Sequence, residues 1–407
     1  MIAHRLKAGN QKREAKGCKR KIDETGGFGI IHAVKILQVL PSLQMGGVER
    51  GTIEIASALK AAGIESAVVS QGGPMVAELE ALGVPHFALP VKTKNPFSIR
   101  ANASKIADLA KREGVTLMHV RSRAPAWSVK WASEMSGIPW IATYHGVYGT
   151  EPKFLKIPYN RVMLGGLRTI CVSEYVRQHV LATYHPDPEK LVLIHRGADT
   201  DVFRPDAVSP EKAAALKAEL GFPADIPVIT LPGRLTRWKG QVETLHALAA
   251  MRHKRVGCLF VGSDQGRTAY SNELKDIAAT LPSETVVRFL EHSNDMPCVY
   301  AMSGIVVNAS SSQPEAFGRV IPEAQAMGII TVGTAHGGAC ETIADGKTGF
   351  LVPPGDSAAL AKKFDEILDL PDAAKAEIKR EAVESVRANF STAKMCSATI
   401  ALYQSLR

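Results

Sequence analysis

Three short stretches of this chain combine charged side chains with glycine in a way that suits chemistry on a phosphorylated substrate. Gly233-Arg234-Leu235-Thr236-Arg237-Trp238-Lys239-Gly240 sets an arginine and a lysine on one loop. Arginine offers a planar fork of donors and lysine a compact point charge, so the two can converge on one diphosphate. The stretch from Pro314 to Ala324 carries Glu315 and, eight residues on, Glu323. With a helix beginning near Gly318, Glu323 stands one turn inside it and Glu315 in the loop ahead, and both carboxylates reach the same cleft. A carboxylate that accepts from a vicinal diol holds a ribose or a sugar, and the N–H groups of Phe317 and Gly318 add donors for hydroxyl or phosphate. Met45-Gly46-Gly47-Val48-Glu49-Arg50 puts two glycines before a helix whose free N–H groups and positive dipole end suit an anion. Each stretch alone also has a plainer reading: solvated loop charges, a helix-surface Glu323, and a tight strand-to-helix turn.

These loops need strands behind them and helices ahead. Apolar runs predict strands over 34–40, 66–70, 85–89, 116–120, 140–143, 169–172 and 191–194, with helical spacing between them. A polar stretch holding Pro205 and Pro210 interrupts the pattern, which restarts over 227–231, 256–261, 286–290, 304–308 and 329–332. Residues 356–390 and 392–406 read as helices. Strands alternating with helices make a parallel sheet covered on both faces, here twice over. The fold class is therefore α/β, with two doubly wound Rossmann-like domains and a cleft at the carboxyl ends of their strands. The expected division is a tail over 1–34, a first domain over 35–197 and a second over 198–390, with a last helix over 391–407 returning to the first.

The chain has 407 residues and a net charge of +9. Residues 1–34 carry +5 and residues 92–168 carry +9, against −5 for the rest. The tail is expected to be a disordered basic segment or an over-long start, or else an arm for membrane or nucleic acid. It lacks the apolar run of a secretory signal. No run is long and apolar enough to span a membrane. The six cysteines have no metal-like or redox-like spacing, which fits a reduced, cytoplasmic chain.

In combination the motifs resemble the retaining glycosyltransferases of family 4, which have the GT-B fold. The resembling residues are Gly46-Gly47-Val48-Glu49-Arg50, the Gly233–Gly240 loop, Glu315 with Glu323, and Gly337-Gly338-Ala339-Cys340-Glu341, in the family's order over about residues 35–407. The wording Pro-Glu-Ala-Phe-Gly-Arg is similar to that of members acting on lipopolysaccharide or other envelope glycans. The resemblance implies a nucleotide diphosphate sugar, with UDP or GDP, as donor. Arg234, Lys239 and the backbone at Gly46 and Gly47 would hold its phosphates, and Glu323 its ribose. Glu315, with the N–H groups of Phe317 and Gly318, would contact the transferred sugar. His145, in Ala142-Thr143-Tyr144-His145-Gly146, matches a family histidine near the anomeric centre. Attack comes from the leaving-group side, and the departing phosphate helps deprotonate the acceptor hydroxyl, so the protein's part is positioning and charge stabilisation.

No metal and no cofactor is expected. Asp199-Thr200-Asp201 looks like a metal-binding pair of another fold but falls in the crossing between the domains. At that crossing family members often carry Asn-Gly, where this chain has His195-Arg196-Gly197. The basic segment, with Arg121, Arg123, Lys153 and Lys156, reads as solvated helix faces or as a surface for anionic lipid or a lipid-linked acceptor; Arg121 and Arg123 follow a strand end and have a cleft-facing reading too. No nucleic-acid reader motif is present. The implied partners are a nucleotide-sugar donor, a glycan or lipid-linked acceptor and the cytoplasmic face of the inner membrane. The rival readings are a nucleotide-sugar epimerase of similar fold and a non-catalytic binder of sugar nucleotides or glycans.

Overall fold

In a computed structural model, residues 34–406 are described; the basic tail, apart from Val34, lies outside them. The apolar runs form thirteen strands: β1 Lys35–Val39, β2 Glu65–Ser70, β3 His86–Ala88, β4 Leu117–Val120, β5 Trp140–Tyr144, β6 Thr169–Cys171, β7 Leu191–Leu193, β8 Val228–Pro232, β9 Gly257–Val261, β10 Val286–Leu290, β11 Ile305–Asn308, β12 Ile330–Thr334 and β13 Phe350–Val352. The first seven make one sheet, in the order β3-β2-β1-β4-β5-β6-β7, and the other six make a second, β10-β9-β8-β11-β12-β13. Every paired register is parallel. Parallel strands need crossover helices, and these cover both faces, which explains runs such as Ile36–Val39 that are buried on both sides.

Each sheet reverses its winding once. The chain runs from β1 outward to β3, then returns to place β4 on the other side of β1; it repeats this with β8, β10 and β11. Loops leaving the two strands at such a reversal part to opposite faces and open a crevice. The Gly46-Gly47 turn follows β1, Arg121 follows β4, the Arg234 loop follows β8 and the Glu315 loop follows β11. All the charged loops singled out in the sequence thus occupy the two crevices.

The units are joined by two crossings that lie side by side. Ala198 N–H donates to Phe390 O at 2.8 Å, and Thr392 N–H donates to Ala198 O at 2.8 Å. Gly197 is in contact with the Ser391 backbone where a side chain would stand, so only glycine lets the crossings touch. The helix Thr392–Ser405 then packs on the first unit, with Met395, Cys396 and Tyr403 beside Ile36, Ile55 and Leu59. Asp199 caps its own turn by accepting from Asp201 N–H at 3.0 Å.

Candidate active site

The donor-side wall is built at the end of β8. Gly240 takes a left-handed conformation (φ 80°) with the Ala309 backbone pressed against it, which seats the Arg237–Lys239 turn on the loop after β11. There the Lys239 ammonium forms a half-buried ion pair with the Glu315 carboxylate and lies 4.4 Å above the Trp238 ring. Arg234 is exposed, and its Nη1 donates to Gln265 Oε1 at 3.5 Å. Arg237 turns away to Glu273 and Tyr270. The two cations expected on a diphosphate thus share an approach, but one of them is paired with Glu315.

Burial, reinforced by the charge of Arg234, pulls the Lys239 ammonium down to about 8. Its positive form is therefore held below about pH 8 and lost above it. UDP affinity should fall as pH rises through 8, and UDP binding at that pH should take up protons, because an arriving diphosphate favours the charged amine. Calorimetry in buffers of different ionisation enthalpy measures that uptake, and Lys239→Met should abolish it.

Gly337 and Gly338 shape the loop that presents Glu315. Gly337 is left-handed (φ 61°) and touches Glu315 O where a side chain would begin, Gly338 lies against the Phe317 backbone, and Gly338 N–H donates to Glu315 O at 2.9 Å. The Phe317 side chain is buried among Phe390 and His195. Among the described residues the N–H groups of Phe317 and Gly318 have no protein acceptor, which leaves both for a ligand.

Glu323, in the helix Val320–Ala326, is not a helix-surface residue. It is largely buried, accepts from Tyr300 Oη at 3.1 Å and from Arg319 Nε at 3.2 Å, and burial raises its pKa against the pull of Arg319. Arg319 also grips Glu54 of the first unit with both terminal nitrogens, at 2.7 and 3.3 Å. Sequence reasoning missed Arg319 and Glu54. The spacing of Arg319 four residues before Glu323 was the available signal for the first; Glu54 had none. A second bridge between the units is Glu341, which accepts from the N–H groups of Glu174 and Tyr175 at 2.8 and 2.9 Å and meets His195 at 2.8 Å.

The facing wall rises from the first unit. Gly46 and Gly47 make room for side chains: a methyl on Gly46 would meet Glu49 Oε2 at 2.6 Å, and one on Gly47 would meet Arg196 Nη1 at 2.8 Å. The Arg196 guanidinium also donates to Gly47 O. His145 follows β5; its ring nitrogens are shielded and have no protein partner. Burial, then the charges of Arg121 and Arg196, holds its pKa well down, so the ring is neutral and open to a hydrogen bond from a ligand.

The basic segment divides. Arg121 is buried, with Nη1 donating to Gln38 Oε1 at 3.2 Å, so of its two readings the cleft-side one fits and the exposed-surface one does not: β4 delivers it inward. Arg123 donates to Asn160 Oδ1 at 2.7 Å and stacks on Tyr148 and Tyr159 at 4.8 and 5.5 Å, holding the loop after β5 rather than offering a surface. Lys153 and Lys156 are exposed on the helix Lys153–Arg161, beside the exposed side chains of Phe154 and Leu155. No helix among the described residues is long and apolar enough to cross a membrane.

Comparison with known proteins agrees with this geometry. The family description "Glycosyltransferase Family 4" matches residues 45–202, and "Glycosyl transferases group 1" matches residues 213–384. A glycosyltransferase crystallised from Rickettsia africae is 38% identical, with a TM-score of 0.85, over 91% of this chain and 98% of that one. HepE of Anabaena, crystallised in complex with UDP and glucose, is 25% identical with a TM-score of 0.80, over 91% of this chain and all of that one. A D-inositol 3-phosphate glycosyltransferase of Corynebacterium kroppenstedtii is 32% identical over 229 residues, 54% of this chain and 50% of that protein. The chain spans about half the length of the curated relatives it matches first. Two family descriptions that together cover both units, and a relative matched over nearly its whole length, place this chain in glycosyltransferase family 4, with the GT-B fold.

Proposed function

We propose that the protein transfers a sugar from a nucleotide diphosphate sugar to an acceptor with retention of anomeric configuration. The observation that carries this is the convergence of Arg234, the Lys239–Glu315 pair, Glu323 and the Gly47 backbone on the crevices of two facing sheets. The incoming diphosphate takes Lys239 from Glu315, and the released carboxylate turns to the sugar hydroxyls. The acceptor oxygen bonds to the anomeric carbon as its bond to the phosphate oxygen breaks. The acceptor proton passes to the departing phosphate, whose charge Arg234 and Lys239 meet. HepE, a neighbour crystallised with UDP-glucose at 25% identity, supports a UDP-sugar as the first donor to try.

The acceptor is an envelope glycan or a lipid-linked saccharide, met at the cytoplasmic face of the membrane. Lys153, Phe154, Leu155 and Lys156 support the surface part of that reading: basic and apolar side chains side by side suit an anionic bilayer. Co-sedimentation with anionic vesicles that is lost in high salt and in a Phe154→Ser variant is the expected result.

A thermal-shift screen of nucleotide sugars tests the donor. A donor at 100 times its dissociation constant stabilises by about 2.7 kcal/mol, and Arg234→Ala should weaken UDP binding about tenfold, since a charge-assisted bond contributes about 1.5–3 kcal/mol. No stabilisation by any nucleotide sugar would sink the transferase reading. Release of an epimerised sugar nucleotide without acceptor would replace it by epimerisation.

A further inference from the structure

We propose that Arg121 and Arg196 form a subsite for an anionic group, phosphate or carboxylate, carried by the acceptor. The two side chains arrive from different parts of the chain, after β4 and at the crossing that follows β7, and meet across Gly51 in the helix Gly47–Ala61. A methyl on Gly51 would lie 3.1 Å from Arg121 Nη2, 3.4 Å from Arg196 Nη2 and 3.9 Å from Glu54 Oε2, so the absence of a side chain there lets the two guanidinium groups come together. Arg121 is 4% exposed and Arg196 is 9%.

Their charges are only partly offset by the protein. Glu49, Glu54 and Glu323 stand near them, but Glu54 and Glu323 are held by a third arginine, Arg319. Among the described residues neither Arg121 nor Arg196 forms a salt bridge: their partners are Gln38 Oε1 and Gly47 O, both uncharged. Arg121 Nε is buried without any partner, and the same holds for both ring nitrogens of the adjoining His145. Two like charges sealed together with donors to spare is a costly arrangement, relieved by one anion that accepts from both forks. Burial and the charge of Arg319, with that of Arg121 behind them, already pull Arg196 down to about 9, the direction a bound anion reverses.

The choice of acceptor rests on the transferase reading above. Arg234 and Lys239, across the cleft on the other unit, serve the donor, whereas Arg121 belongs to the wall that faces it. An anion here could also come from the donor's own phosphates, and the test separates the two. Inorganic phosphate is titrated by calorimetry into the full chain, alone and saturated with UDP. Expected is phosphate binding that persists in the presence of UDP, weakened at least tenfold in Arg196→Gln and partly retained in Arg196→Lys, with UDP affinity in both variants within twofold of the wild type. Thermal midpoints confirm that the variants fold.

Wild-type protein that binds no phosphate when loaded with UDP overturns the proposal without recourse to any variant, and phosphate affinity unchanged in Arg196→Gln does the same. In either case UDP binding leaves the transferase reading standing. Competition between phosphate and UDP, with UDP weakened in Arg196→Gln, gives the subsite to the donor and overturns its assignment to the acceptor. Failure to bind UDP at all counts against the transferase reading, while the phosphate titration still decides the subsite.

Discussion

Glu315→Gln should lower sugar transfer by about 10²–10³-fold, the scale of losing one directed electrostatic contact in an active site, and yet bind UDP as tightly as the wild type or more so. On the proposed mechanism the two effects separate because Glu315 changes partner, from Lys239 to the sugar. Its carboxylate is paired with Lys239. A diphosphate must break that pair before it can use the ammonium, and glutamine holds the lysine less strongly, so donor phosphate meets less competition. The loss appears only when the sugar needs a charged acceptor for its hydroxyl protons. Steady-state transfer and UDP calorimetry on the same preparation read both quantities. UDP affinity that fell together with transfer would mean that Glu315 supports the donor loop rather than exchanging partners.

Arg319→Met should be the most destabilising single change in the cleft, by about 3–5 kcal/mol, because it leaves buried carboxylates without their cation. Glu54 and Glu323 lie on different units, and Arg319 is the group that both share. The side chains of Glu54 and Arg319 are only 8% and 13% exposed, so water does not replace the lost partner. The penalty should be smaller in the double variant Glu54→Gln, Arg319→Met, since one orphaned charge is then removed. Denaturant unfolding of the wild type, both single variants and the double variant closes that cycle. Additive losses would mean that the three side chains do not act as a unit.

Much of the fold was legible because doubly covered strands leave a plain mark. Runs such as Val256–Val261 and Val228–Leu231 are buried throughout and almost wholly apolar, and turns bracket them. The exceptions are short or weakly buried. β13 spans only Phe350–Val352 at a sheet edge. The helix Pro210–Glu219 falls in a stretch read as polar linker, since it buries only Ala213; its start, with Ser209 accepting from Lys212 N–H at 3.3 Å ahead of Pro210, is a capping signal that was passed over.

Local spacing also placed Glu315 in a loop and Glu323 one turn into a helix, because eight residues of loop and helix obey local rules. It did not pair Lys239 with Glu315 across 76 residues or Arg319 with Glu54 across 265, for those contacts depend on how two sheets face each other. Arg196 illustrates the limit best. The sequence marked it only as a departure from the family at the crossing. The fold turns that crossing into cleft wall and sets the side chain against Gly47 and Gly51.

The paired crossings bear on the order in which the molecule can assemble. The helix Thr392–Ser405 covers Ile36, Ile55 and Leu59, yet it follows every strand of the second sheet in the chain. The first unit is therefore discontinuous in sequence, and the second is in effect an insertion within it. A ribosome delivering this chain completes the inserted unit before it releases the piece that closes the outer one. The usual rule that the leading domain matures first during synthesis is thus reversed: the second unit can be finished while the first still exposes an apolar face, and closing that face also brings the chain back to the hinge.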